Sequence, residues 1–239
     1  MRIAIVSDIH GNRTAFEAVL ADLRQTSPDL IFHGGDLADG GSSPMEIVDR
    51  IRDLGWPGVI GNTDEMLVEP KSLEKLANQS PKLQSLFAVI WEMAAWTREK
   101  LGEERLKWLS SLPRMRMHDP MVLLHASPES LWKSPTPEAS DDELEAAYKP
   151  LHQPIAVYAH IHRSFIRSVS GMVVANTGSV SLSYDGDYRA AYLLLDKLKP
   201  LIRRVEYDID KELEALTSCG LPHADWVAKT LRSSCLQMP

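Results

Sequence analysis

Ile3-Ala4-Ile5-Val6-Ser7-Asp8-Ile9-His10-Gly11-Asn12 decides the fold of this chain. Ile3 to Val6 has the unbroken hydrophobicity of a strand buried on both faces. Gly11 breaks the run, and Asn12 is a cap for a helix through Arg24 whose apolar face is Phe16, Val19, Leu20 and Leu23. Leu30-Ile31-Phe32 supplies a second strand, Pro44 to Leu54 a second helix and Val59-Ile60 a third strand. This βαβαβ start implies parallel strands joined by right-handed crossovers. Ligands bind such sheets at the carboxyl ends of the strands, where Asp8 and His10 stand.

The same strand-end chemistry recurs at Gly35-Asp36-Leu37-Ala38-Asp39, Gly61-Asn62-Thr63-Asp64-Glu65, Leu124-His125-Ala126 and Ala159-His160-Ile161-His162. Each group follows a β-type stretch and offers hard oxygen or imidazole nitrogen. Five in order point to a site for two metal ions. Asp8 and His10, like His160 and His162, are one residue apart, so period-two alternation can aim both at one ligand. Asp36 follows Gly34-Gly35, where a missing Cβ lets backbone approach a metal, and its two oxygens can bridge two cations. Two divalent cations bring four positive charges and Asp8 and Asp36 return two negative ones. A bridging hydroxide leaves about one positive charge, which suits a phosphoester anion.

The remaining sequence bounds this picture. The chain has 239 residues, enough for one α/β domain over 1–239 with a sizeable core. Residues 71–112 form a helical insertion or cap holding Trp91, Trp96 and Trp108, which are expected to pack against the sheet. From Arg114 onward the chain turns to β: Met121–Leu124, Ile155–Tyr158, Phe165–Val169, Met172–Ala175, Ala191–Leu195 and Ile202–Tyr207. Between them, 128–154 holds five prolines and reads as a loop with one short helix capped by Ser140. Residues 197–239 are a C-terminal extension. With 26 Lys and Arg against 33 Asp and Glu, the net charge of −7 disfavours sequence-independent nucleic-acid binding. Cys219 and Cys235 lie far apart, so neither a disulfide framework nor a thiolate metal site is indicated. No stretch approaches a membrane span or a signal peptide, and the expected compartment is the cytoplasm. The expected partners are a small phosphoester or nucleotide substrate and a second copy in a homodimer.

In their order and spacing these residues resemble the calcineurin-like metallophosphoesterase family, in particular its small bacterial and archaeal phosphodiesterase-type members. The family pattern is D-x-H, GD-x-x-D, GN-H-D/E, a lone His and GH-x-H, and the resemblance runs from Met1 to about Asp196. Asn176-Thr177-Gly178-Ser179-Val180 is similar to a turn of the small members. The resemblance implies a four-layer α/β/β/α sandwich of two mixed sheets flanked by helices. It implies that Asp8, His10, Asp36 and His162 hold one metal, and that Asp36, Asn62, His125 and His160 hold the other. Manganese is the expected ion, and iron, zinc, cobalt or nickel would suit the same donors. A metal-bridging hydroxide would attack phosphorus in line, with Asn62, Asp36 and the metals as the catalytic machinery.

Thr63 stands where most members carry a histidine that protonates the leaving group or contacts phosphate, and threonine is no acid near neutral pH. Ala159 replaces a glycine but removes no ligand. Small members lacking that histidine tend toward phosphodiesters, so the expected activity is phosphodiester hydrolysis. The alternatives are a phosphomonoesterase or protein phosphatase, and a non-catalytic scaffold of the same fold. Arg13 and Thr63 are candidate substrate contacts, and Asp39 and Asp64 candidates for orienting a metal-bound histidine. His33 is left out of the site by strand alternation, and Ser179 is either structural or a substrate contact.

Overall fold

The computed structural model describes residues 1–239. Its centre is β1 (Arg2–Val6), which pairs in parallel with β2 (Leu30–His33). On its other side β1 runs antiparallel to a late strand at Ala190–Asp196, which in turn pairs with Lys199–Val205. The second sheet begins with β3 (Met115–His118), β4 (Met121–Leu124) and β5 (Ile155–Tyr158). It is completed by β6 (Phe165–Val169) and β7 (Met172–Asn176), in the order β3-β4-β5-β7-β6. The two late strands are β8 and β9, so the first sheet reads β2-β1-β8-β9. Both sheets are mixed.

Side-chain alternation stacks these sheets. Ile3 and Ile5 of β1 meet Met121, Leu123, Ile155 and Val157 of the second sheet in one buried cluster. Ala4 and Val6 face the other way, toward Phe16 and Val19 of α1 (Arg13–Thr26) and Ile47 of α2 (Pro44–Leu54). On the second sheet's outer face Val122 and Leu124 pack on Leu144 and Tyr148 of a helix at Asp141–Tyr148. The layers are therefore helix, sheet, sheet, helix, as the resemblance implied.

The Asn12 cap forms, its side chain accepting from Ala15 N–H at 2.8 Å. So does the Ser140 cap, which accepts from Glu143 N–H at 3.2 Å. The 71–112 region is helical: α4 (Lys71–Gln79), a short 3₁₀ turn at Pro81–Leu83, and α5 (Gln84–Ser110), interrupted at Gly102. Val59-Ile60 departs from expectation. Gly58 makes one parallel bridge to His33 and Val59 N–H donates to His33 O at 3.2 Å. Ile60 N–H then turns to Pro113 O at 2.9 Å, so no third strand extends. The motif beyond it starts a helix instead, α3 (Asn62–Val68). The Asp141–Tyr148 helix is α6, and the extension supplies β9 to the first sheet before folding into α7 (Ile209–Cys219) and α8 (Ala224–Ser233). No helix is long and apolar enough to cross a membrane.

Candidate metal centre

The strand ends converge. Asp8, His10, Asp36 and His162 place one ligand atom each within 4.8 Å of one another, and all four are buried. Asp36 joins them to a second group: its Oδ2 is 3.7 Å from His10 Nε2 and 3.4 Å from His125 Nε2. In that second group the Asn62 side-chain amide lies 2.9 Å from His125 Nε2 and 2.7 Å from His160 Nδ1. All seven residues singled out as metal donors are thus brought to one place.

The donor chemistry can be tested for fit to cations. His10 Nδ1 faces the Asp39 carbonyl at 2.7 Å, and His162 Nδ1 faces the Leu182 carbonyl at 2.5 Å. A carbonyl accepts, so each proton sits on Nδ1 and each neutral Nε2 presents a lone pair. These two lone-pair nitrogens are 3.2 Å apart. Likewise His125 Nδ1 donates to Gly34 O at 2.7 Å, which leaves its Nε2 aimed at the Asn62 amide. Asp8 Oδ1 is buried, accepts no hydrogen bond and lies 3.2 Å from His162 Nε2. Acceptors turned toward acceptors fit a bound cation. Burial works to raise the Asp36 carboxyl, but the imidazoles of His125, His10 and His160 outweigh it and keep Asp36 ionised. Burial works to lower His125, yet the Asp36 carboxylate pushes it up to about 9, so its Nε2 carries a proton that a bound cation would replace.

Backbone strain accompanies this convergence. Asp8, His10, Asp36, His160 and His162 all have left-handed φ, between 47° and 72°. Non-glycine residues rarely adopt that region, and surrounding contacts must hold them there. Asp8 N–H donates to Gly35 O at 3.1 Å and His10 N–H to Asp36 O at 3.0 Å. Ser179 Oγ donates to Asp8 O at 2.9 Å and accepts from Ser181 and Leu182 N–H, which gives it a structural role. The glycines serve a different approach from the expected one. A Cβ on Gly61 would lie 2.0 Å from Asp36 Oδ1, and one on Gly35 would lie 2.4 Å from Gly61 N. They let the Asp36 and Asn62 loops touch.

A family model described as the calcineurin-like phosphoesterase superfamily domain matches residues 1–198. The chain belongs to this superfamily. Protein MJ0912 of Methanocaldococcus jannaschii is 30% identical over 252 residues, covering 96% of both chains. A crystal structure of a metallophosphoesterase from Sphaerobacter thermophilus is 25% identical with a TM-score of 0.78, over 98% of this chain and 100% of that one. Two relatives match in part. The symmetrical bis(5′-nucleosyl)-tetraphosphatase of Vibrio campbellii is 27% identical over 64% of this chain and 55% of its own. A probable cyclic nucleotide phosphodiesterase of Synechococcus is 26% identical over 63% and 64%.

Within this phosphoesterase the neighbours of the ligands are placed differently from expectation. Asp64 orients no histidine: its carboxylate accepts from the N–H groups of Asp36, Leu37 and Gly61 at 2.8 to 3.0 Å, knitting the Asp36 loop to α3. Asp39 steers His10 through its carbonyl, while its carboxylate accepts from Thr97 Oγ1 at 2.7 Å. Arg13 is exposed at the start of α1 and does not line the cavity beside the ligands. Thr63 does line it, and its N–H donates to Asp36 Oδ1 at 2.9 Å. Asn176 locks the 176–180 turn to the ligand loop, its Nδ2 donating to Ala159 O at 2.6 Å. His33 is fully buried at the end of β2, against Gly58 and outside the cluster. Trp132, Tyr184 and Trp226 also line the cavity and were missed in the sequence, where no periodicity marks them.

Proposed function

We propose that this phosphoesterase is a dinuclear phosphodiesterase of the cytoplasm, with manganese as its working ion. Asp8, His10, Asp36 and His162 would hold one ion, and Asp36, Asn62, His125 and His160 the other. The observation that carries this is the position of Asp36 Oδ2, between His10 Nε2 at 3.7 Å and His125 Nε2 at 3.4 Å. The two divalent ions, when bound, supply an activated water and positive charge for the phosphoryl oxygens.

The chain's own residues do the rest. Asn62 presents its amide beside the second group of donors, where it can also orient a phosphoryl oxygen. Asp64 fixes the backbone of Asp36 and Gly61, so donor geometry is set before substrate arrives. Thr63 occupies the cavity wall without an ionisable group, so the leaving oxygen must take its proton from water. A diester carries one fewer ionisable oxygen than a monoester and needs less of the charge neutralisation that an imidazole at position 63 would give. The free thiols of Cys219 and Cys235 agree with a reducing compartment. The test is hydrolysis of bis-(4-nitrophenyl) phosphate and 4-nitrophenyl phosphate by protein stripped with chelator and reloaded with each divalent ion. Faster diester cleavage with manganese is expected; a preference for the monoester under every ion refutes the assignment.

A further inference from the structure

On one side the ligand cluster opens into a cavity of ≈590 Å³, mouth included, that His10, Asn62 and Thr63 help to line. Opposite chemistry meets them there. Trp132 comes from the proline-rich loop, Tyr184 from the segment after the 176–180 turn and Trp226 from α8. Trp132 Nε1–H donates to Glu65 Oε2 at 2.9 Å and Trp226 Nε1–H to Gln237 O at 3.0 Å. Neither partner lines the cavity, so both indoles are held in place by bonds made outside it and offer it carbon. The Tyr184 ring stacks on His162 at 4.5 Å and 16°, which carries aromatic surface up to the ligands.

Charge narrows the occupant. No lysine or arginine lines this cavity, and its one carboxylate, Asp39, is engaged by Thr97. A second phosphate would find no counter-charge there. The polar groove on the other side of Trp132 is no better, because Glu65, Glu69 and Glu129 offset its four cations and Arg114 already pairs with Glu65 at 2.9 Å.

We propose that the cavity binds a flat aromatic group carried by the alcohol or phenol esterified to the scissile phosphate, with Trp226 as the specificity-determining residue. A nucleobase and a simple aryl ring share this chemistry. Trp226 lies beyond the matched residues 1–198, so the superfamily domain supplies the metal donors and the extension supplies the wall that selects the organic group. The proposal rests on the phosphodiesterase assignment for its substrate, but its test does not require turnover.

Calorimetric titration of manganese-loaded protein with methyl, hexyl and phenyl phosphate and with adenosine 5′-monophosphate separates the possibilities. All four carry the same head, and hexyl matches phenyl in carbon count. Phenyl phosphate is expected to bind at least about tenfold tighter than methyl phosphate, and tighter than hexyl phosphate, as aromatic stacking requires. Trp226→Ala should reduce the phenyl-to-methyl ratio by about tenfold, Trp226→Phe should keep most of it, and Trp91→Ala, outside the cavity, should leave it unchanged. Tight adenosine 5′-monophosphate binding identifies a nucleobase as the group; tight phenyl phosphate alone identifies a simple aryl ester. Hexyl phosphate binding as tightly as phenyl, or a ratio insensitive to Trp226→Ala, overturns the proposal. Diester turnover with phenyl and methyl phosphate bound equally sinks this proposal alone, whereas a preserved ratio without turnover sinks only the phosphodiesterase assignment.

Discussion

Asp36 is the residue on which the two groups of donors meet, and its role separates from theirs by experiment. If it serves both ions, Asp36→Asn should lower bound metal from about two ions toward one or none, and activity with it. His125→Ala should cost mainly one ion. Metal analysis giving two ions and near-normal turnover for Asp36→Asn would exclude the bridge. Thr63 is the second telling position. Its side chain lines the cavity, and a histidine there would stand beside the substrate. Thr63→His should raise 4-nitrophenyl phosphate hydrolysis relative to the diester, with general acid catalysis, typically ~10²–10⁴-fold, as the ceiling. An unchanged ratio of kcat/KM would refute this account of Thr63. The donors were legible in the sequence because metal chemistry restricts residue type and strand ends restrict position. Their left-handed backbone was not, since φ is imposed by distant partners such as Ser179 and Gly35.

At the scale of elements, strands and helices with a clear period and a cap were legible: β1, α1, α2 and α6 all appear as their sequences require. What failed was the Val59-Ile60 strand, too short to extend once Ile60 pairs with Pro113; α3 had no sequence signal of its own, because its start coincides with the motif itself. The turn between them is set by contact rather than by propensity. Gly61 has an extended φ of −97°, so alanine fits the backbone but not the space, with Asp36 Oδ1 2.0 Å from the new Cβ. Gly61→Ala should therefore destabilise the fold by ~1–3 kcal/mol, as overpacking does, and also lower metal affinity. Urea unfolding together with metal titration checks it. A variant with lost stability but native metal affinity would show that the turn supports the fold without shaping the site.

Across the whole molecule, one buried carboxylate joins the helices of the extension to the metal-bearing loops, beside the apolar packing of Leu182 and Met93 on α7 and α8. Glu212 of α7 is fully buried, and it accepts from Ser42 Oγ at 2.8 Å and Thr14 N–H at 3.4 Å. Those partners follow Asp36 and His10 in the chain, so α7, and with it the Trp226 wall on α8, is registered against the site through Glu212. The sequence hid this, because an acidic residue on an amphipathic helix ordinarily faces water. Burial pushes the Glu212 carboxyl above its ordinary value, against the lowering effect of Thr14 and Ser42. An acid raised in the folded state is better tolerated there when protonated. Its favourable contribution is in place below the unfolded pKa and is lost as pH rises through the folded value. Glu212→Gln cannot ionise and keeps an amide oxygen for Ser42. It should therefore gain stability relative to wild type as pH climbs from about 4.5 to 8, the difference following the wild type's own loss. Glu212→Ala leaves Ser42 and Thr14 without their acceptor and should cost ~1–3 kcal/mol at any pH in that range. Paired urea curves for the three proteins across the range decide it, and a wild-type-to-glutamine difference that is flat with pH, or of opposite sign, would mean that Glu212 ionises freely and does not fasten the extension in this way.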